Sequence, residues 1–312
     1  MRTLRELGEE GWIALLKSRF PSGGDVLAGI GDDCAAVRLP RGAGRKVLLL
    51  KTDAVVEGVH FDRRATPFQI GWKAMARPLS DIAAMAGQPR WALVTAALRG
   101  NMAARFAREV YQGMTAAAKS FGVAIVGGET VRTAGPFWFS VALIGEVDRR
   151  HLRLRSAARI GDAILVTGAL GGSIHGKHLT FVPRIAEARW LVEHAPIRAM
   201  IDLSDGLARD LGHICRASGV GARLEAPTIP MAPASAGSLH RALNDGEDYE
   251  LLFTVPASAV RRLRAGWRRK FPVLPLTQIG RIVRGSRITL ADAQGNTRPL
   301  NESGYDHFRK EP

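Results

Sequence analysis

Cysteine occurs only twice in this 312-residue chain, at Cys34 and Cys215 in separate halves. That excludes a disulfide framework or a cysteine metal cluster and points to a reducing, cytoplasmic setting, with both thiols as small core residues. No apolar run reaches the roughly 18–20 residues that span a bilayer. The first ten residues carry acids early and lack the apolar centre of a signal peptide. The eight histidines show no H-E-x-x-H spacing, which argues against zinc chemistry, and no G-x-S-x-G elbow offers a serine nucleophile. Lysine is scarce too. It supplies eight of 44 basic residues, so the formal charge of +15 rests on arginine. Arg261-Arg262-Leu263-Arg264 and Trp267-Arg268-Arg269-Lys270 read as a solvated helix face. No aromatic RNP stripe or zinc-finger spacing accompanies them, and nucleic acid is not an expected partner.

What the chain does have is carboxylates set beside small residues. They read Gly31-Asp32-Asp33, Thr52-Asp53, Ser80-Asp81, Gly127-Gly128-Glu129, Asp202-Leu203-Ser204-Asp205 and Asp245-Gly246-Glu247-Asp248. A solvated acidic face would have Lys and Arg interleaved and no need of small neighbours. Gly and Ser let the backbone approach a ligand closely. Carboxylate oxygens are the donors hard Mg²⁺ prefers, and Mg²⁺ usually travels with phosphates. The pattern therefore suggests a magnesium-nucleotide site assembled from distant segments.

A length of 312 residues suits two medium domains, and 46% hydrophobic content suits a soluble fold. Val26–Val37 and Lys46–Val56 read as strands joined by a turn at Pro40-Arg41-Gly42-Ala43-Gly44. Pro67–Met85 has helical apolar spacing broken at Pro78. A strand at Trp91–Leu98, a helix at Ala103–Phe121 and strands at Val123–Val126 and Phe137–Val147 follow. The charged stretch Asp148–Arg155 marks a boundary near residue 150, giving units 1–149 and 150–312. In the second unit, strands are expected at Ala163–Thr167, Ala222–Leu224, Leu251–Val255, Leu276–Val283 and Arg287–Leu290. Helices are expected at Arg184–His194, Asp205–Ala217 and Ala257–Trp267. Strands mixed with helices in each half argue for α/β or α+β layers.

Each acidic motif has a plain structural alternative. Asp32 and Asp33 suit a turn, Asp53 ends a buried strand, and Ser204 or Asp205 suits a helix N-cap. Their agreement in form carries the metal reading. Gly171-Gly172-Ser173-Ile174-His175-Gly176-Lys177-His178 matches G-x-x-x-x-G-K, but His178 replaces the Ser/Thr of a P-loop and no Walker-B acid follows. It reads as a glycine-rich loop that packs near phosphate, or simply turns.

Taken in order, these segments resemble the thiamine-monophosphate kinase family, in the superfamily of aminoimidazole-ribotide synthetase and selenophosphate synthetase. The resemblance runs from about Gly29 to Phe308. It is carried by Gly29-Ile30-Gly31-Asp32-Asp33, Thr52-Asp53 through His60-Phe61, Leu79–Met85, Gly127–Thr130, Ile201–Leu207, Gly246–Leu251 and Gly304–Phe308. It implies a two-domain synthetase-like fold: an N-terminal mixed-sheet domain forming a dimeric β-barrel, plus a C-terminal α/β domain completing the cleft. It implies ATP-dependent phosphorylation of thiamine monophosphate, with ATP and Mg²⁺ bound and a homodimer as the assembly. Asp33, Thr52, Asp53, Asp81, Glu129, Asp202 and Asp205 are the implied metal ligands, with Asp53 and Asp205 at the catalytic centre. Gly128, Glu129, Arg155 and Ser204 are implied on the nucleotide. His60, Glu247 and Tyr305 are implied around the thiamine phosphate, Tyr305 by stacking on its cationic ring.

Three positions depart from that pattern. Glu129 stands where the family has Asp, Lys51 where it usually has Ser, and Pro78 where it commonly has Asn. Lys51 can take the place of one metal, meet phosphate directly, or point away. Two alternatives therefore stay open: a sister ATP-dependent enzyme, ribotide cyclase-like, acting on another small phosphorylated substrate, or a nucleotide-binding homologue with impaired catalysis.

Overall fold

Two mixed sheets organise the chain, in a computed structural model that describes residues 3–20, 23–39, 45–301 and 304–308. The first half runs α1 (Leu4–Arg19), β1 (Val26–Ala28), β2 (Ala35–Arg38), β3 (Lys46–Val56), α2 (Pro67–Ala84), β4 (Gln88–Leu98), α3 (Ala104–Ser120), β5 (Ala124–Arg132) and β6 (Trp138–Asp148). The second runs β7 (Asp162–Thr167), α4 (Ile185–His194), β8 (Met200–Asp202), α5 (Leu207–Ser218), β9 (Gly221–Glu225), α6 (Leu239–Asn244) and β10 (Leu251–Pro256). It ends with α7 (Val260–Lys270), β11 (Leu276–Val283), β12 (Ile288–Ala291) and β13 (Thr297–Pro299). The sheet orders are β1-β2-β3-β6-β4-β5 and β13-β12-β9-β11-β7-β10-β8. Pairing is antiparallel except for β4 with β5 and β12 with β9.

α2 joins the two halves. Thr66-Pro67-Phe68-Gln69 starts it with a reciprocal capping box and a proline in the first turn. The helix is then buried almost all round, because the first sheet lies on one side of it and the second half on the other. One continuous apolar core therefore runs from Leu49 and Leu143 of the first sheet through Met75 and Leu79 of α2 to Leu165 and Phe253 of the second. A second core of Ile201, Leu211, Leu224 and Ile279 lies within the second half. Both cysteines are buried and free, as core residues.

Several sequence expectations need correction. The expected strand Val26–Val37 is two short strands, and Gly29–Cys34 leaves the sheet as a loop. α2 is not broken at Pro78, where burial on both sides offsets the lost backbone hydrogen bond. α5 begins at Leu207, after Gly206 as N-cap, so neither Ser204 nor Asp205 caps it. The helix Leu4–Arg19 was not expected, because its sequence has only a weak apolar stripe. The turn 40–44 lies outside the described residues. The arginines of α7 do form an exposed face, while Leu263 and Trp267 bury beneath it.

α2 and α3 cross at contact distance through facing glycines. A Cβ on Gly71 would lie 1.8 Å from the Val110 carbonyl oxygen, and one on Gly113 would lie 1.9 Å from that of Phe68. Backbone cannot yield as a flexible side chain does. Gly113→Ala is expected to cost about 1–3 kcal/mol of stability, read by urea denaturation.

Candidate active site

The carboxylates converge where the two halves meet. Along β3 alternate residues face α2, so Val47, Leu49, Lys51, Asp53 and Val55 share the inner side. On α2, Lys73, Arg77 and Asp81 recur every four residues and form one stripe. Asp202 ends β8, and Ser80 of α2 donates a 2.6 Å hydrogen bond to it, tying the halves together. The loop after β1 delivers Asp33, which Arg155 grips at 2.6 Å. Lys51 lies 2.8 Å from Asp81 and 3.8 Å from Asp53. Lys51, Asp53, Arg77, Asp81, Arg155 and Asp202 line a cavity of about 730 Å³.

Oxygens of Asp33, Asp81 and Asp202 lie within 4.8 Å of one another. Asp33 is 2% exposed, and its Oδ2 has no hydrogen-bond partner among the described residues. Three convergent carboxylates, one of which carries a buried and unsatisfied oxygen, fit a divalent cation such as Mg²⁺. The electrostatics agree. Burial, reinforced by Asp33, pushes the Asp202 carboxyl up to about 7. Burial likewise holds Asp81 well above the ordinary carboxylate range, despite the pull of Lys51. Burial also acts on Asp53, but Lys51 and Arg77 outweigh it and keep that carboxyl below its ordinary value. The fixed cations Lys51, Arg77 and Arg155 thus leave part of the cluster's negative charge uncompensated.

Behind the cavity residues His60 and Glu247, Lys73 is completely buried. Its ammonium lies 2.6 Å from the His60 carbonyl, 2.7 Å from the Glu247 carboxylate and 2.8 Å from His178 Nδ1. Burial lowers Lys73 to about 8. Burial opposes ionisation of Glu247 as well, but the His178 hydrogen bond and the Lys73 charge hold it at about 2. Glu247 and Tyr249 have φ of 52° and 50°, the left-handed region that bulky residues seldom occupy. Tyr249 is stacked on Phe181, with ring centroids 3.7 Å apart, which keeps that turn in place. His60 Nδ1 accepts the Val56 N–H at 3.1 Å, and burial, then Arg77, lower the ring to about 3, so it is neutral. Tyr305 reaches the cavity from the C-terminal segment. Its N–H donates to the Asp205 carbonyl at 3.2 Å, and the Arg209 guanidinium donates to the Tyr305 carbonyl.

The cavity is lined by Asp53, Asp81, Asp202, Asp205, Arg155 and Ser204, and at its far end by His60, Glu247 and Tyr305. Asp205 makes a separate group with Asp210 and His213. Thr52 lies on the other face of β3, its hydroxyl 3.2 Å from that of Ser140. Gly128 and Glu129 sit exposed on β5, three strands away from β3 and outside the cavity.

Sequence reasoning missed Lys73, Arg77 and His178. A cation repeating every four residues on an otherwise apolar helix was the available signal for the first two. The pattern of acids beside small residues also contained Asp245 and Asp248, which the structure uses internally. Asp248 accepts from Gly171 N–H at 3.0 Å and from the Ser173 hydroxyl, and Asp245 accepts from Gly172 N–H at 3.0 Å. Lys177 reaches Glu250 at 2.9 Å, and Arg184 clamps the same carboxylate at 2.8 and 2.7 Å. The Gly171–Lys177 loop therefore spends these amides and its lysine on internal carboxylates. It delivers His178 to the Lys73 cluster.

Unfolded, Asp202 ionises near pH 4; folded, only at about 7. Between these values the folded state holds the extra proton, so this group's contribution to stability is lost as pH rises toward 7. In metal-free buffer Asp202→Asn should therefore gain stability relative to the parent from pH 5 to 7 and level off above. Urea denaturation across that range measures the difference, and a constant difference would contradict the assignment.

Comparison with known proteins identifies the family. Residues 31–147 match the family model described as AIR synthase related protein, N-terminal domain, and residues 168–293 match the corresponding C-terminal domain. The thiamine-monophosphate kinase of Rhodopirellula baltica is 38% identical over 88% of this chain and 89% of its own length. That of Aquifex aeolicus is 31% identical over 98% of this chain and 99% of its own. The solved structure of AaThiL complexed with AMPPCP and TMP superposes with a TM-score of 0.83 at 31% identity, covering 98% of this chain and 99% of that one. With a two-domain fold of two mixed sheets and relatives matched over almost their whole length, the chain belongs to the thiamine-monophosphate kinase family.

Proposed function

We propose that this protein transfers the γ-phosphoryl group of ATP to the phosphate of thiamine monophosphate, giving thiamine diphosphate and ADP. The observation that carries the reading is one cavity with two different ends. Carboxylates that fit Mg²⁺ meet at one end, and an ionised, buried-side carboxylate with aromatic neighbours waits at the other. In such a transfer an acceptor phosphate oxygen forms a bond to the γ-phosphorus while the bond to the β–γ bridging oxygen breaks, and ADP leaves with that electron pair.

Asp33, Asp81 and Asp202 would hold Mg²⁺, and Asp53 and Asp205 line the same cavity. Bound there, the metal offsets the repulsion between two phosphorylated anions. Arg155 and Ser204 suit the nucleotide phosphates. Glu247, kept ionised by Lys73 and His178, suits the thiazolium cation, and Tyr305 suits stacking on it. Neutral His60 contributes its ring without adding charge. Little acid–base chemistry is asked of the protein, whose task is to position the partners and exclude water.

The two units, 1–149 and 150–312, would each supply one wall of this cleft. A homodimer follows from the same reading. The face of the first sheet turned away from α2 exposes Leu50, Trp91 and Leu93, and β5 is a long exposed edge. An apolar face and an unpaired edge of that kind favour closure with a second copy into a shared barrel. Thr52 lies on this open face, and Glu129 and Gly128 on the edge, so they would join a nucleotide site only across such an assembly. Among the described residues no helix is long and apolar enough to cross a membrane, and the cytoplasm is the proposed location.

Purified protein with ATP, Mg²⁺ and thiamine monophosphate should form thiamine diphosphate and ADP in equal amounts. Asp53→Asn should lower turnover by about 100-fold or more with the fold intact by circular dichroism. Nucleotide binding without turnover on this substrate would favour the impaired homologue instead.

A further inference from the structure

Lys51 is set where a cation is needed. It stands on β3 two residues before Asp53, so both side chains face α2, and its ammonium sits between Asp53 and Asp81 at 3.8 and 2.8 Å. Its side chain is 24% exposed, opening on the same cavity as the cluster. Asp81 is at the same time one of the three carboxylates that converge, with Asp33 and Asp202, within 4.8 Å of one another. One oxygen of Asp81 is thereby taken by an ammonium that belongs to the chain. We infer that the Lys51 ammonium is a resident monovalent cation occupying the place between Asp53 and Asp81, so that the cluster takes up one divalent ion fewer than its carboxylates can hold. This rests on the reading of the cluster as a Mg²⁺-nucleotide site and specifies how that site is loaded.

The physical logic is one of charge and size. Two carboxylates brought this close need positive charge between them, and a compact ammonium can supply it without a coordination shell. It also excludes a Mg²⁺ ion, which needs several oxygens near 2.1 Å. A tethered cation is present at any Mg²⁺ concentration. Removing it leaves Asp53 and Asp81 with the Arg77 guanidinium as their remaining counter-charge, and a space that a divalent ion would then fill.

The test is a count of ions. Mn²⁺ replaces Mg²⁺, AMPPCP replaces ATP, and free Mn²⁺ is read by electron paramagnetic resonance as the protein is titrated. Lys51→Ser and Lys51→Asn, which shorten the side chain and supply an oxygen, should each bind one Mn²⁺ per chain more than the parent. Lys51→Arg, which keeps the cation, should match the parent. An unchanged count in whichever of the two shortened variants folds, with AMPPCP still bound, would overturn the inference. Weakened AMPPCP binding without an extra ion would also overturn it, because Lys51 would then be a phosphate contact. If the parent with AMPPCP binds no Mn²⁺ at its cluster, the metal reading itself fails, and this inference with it.

Discussion

Carboxylates buried at the seam between two sheets repel one another, and the structure around them is organised by the need for positive charge. Asp33, Asp53, Asp81 and Asp202 come from a loop, a strand, a helix and a strand end that are distant in sequence. Burial and mutual repulsion hold Asp81 and Asp202 above their ordinary range, so neutralisation by the protein's own cations is incomplete. Arg155 closes on Asp33, Lys51 lies between Asp53 and Asp81, and Ser80 bonds Asp202. The Arg155–Asp33, Lys51–Asp81 and Ser80–Asp202 contacts join segments far apart in the chain, and the first and last join one half to the other. The same interactions that leave room for a cation therefore also dock the halves.

The substrate end obeys the same constraint with the signs rearranged. Lys73 has no water to solvate it, so it must be surrounded by acceptors, and His60, Glu247 and His178 provide them. One buried ammonium thereby fixes a loop after β3, the strained turn at Glu247 and the end of the Gly171–His178 loop. Each of these carries a cavity residue or braces one. α2 links the two ends, since Lys73, Arg77 and Asp81 occupy successive turns of its inner stripe. A helix that packs on both sheets is a rigid support for such a row, and the glycine-mediated contact with α3 keeps it fixed.

Much of this was legible in the sequence because local patterns report local geometry. The strand read at Lys46–Val56 carries Asp53, and acids set beside small residues marked Asp33, Asp81 and Asp202. What was not legible depends on partners distant in sequence. Nothing beside Asp248 or Glu250 says that their partners are Gly171, Ser173, Lys177 and Arg184, so a structural carboxylate and a ligand carboxylate look alike. Pro78 suggested a break because local rules omit the packing that surrounds α2. Lys73 carried no sequence signal of its own apart from its spacing to Arg77, because its burial is decided by the second half. Thr52 and Glu129 belong to another surface, the open face and edge of the first sheet, and their role depends on what covers it.

The central claim is that Asp33, Asp81 and Asp202 form a cation site at the seam. Anomalous diffraction from crystals grown with Mn²⁺ and AMPPCP tests it most directly. The account predicts a strong anomalous peak among the oxygens of these three carboxylates, with the nucleotide phosphates beside it. Bound AMPPCP with no anomalous peak at that position would contradict it.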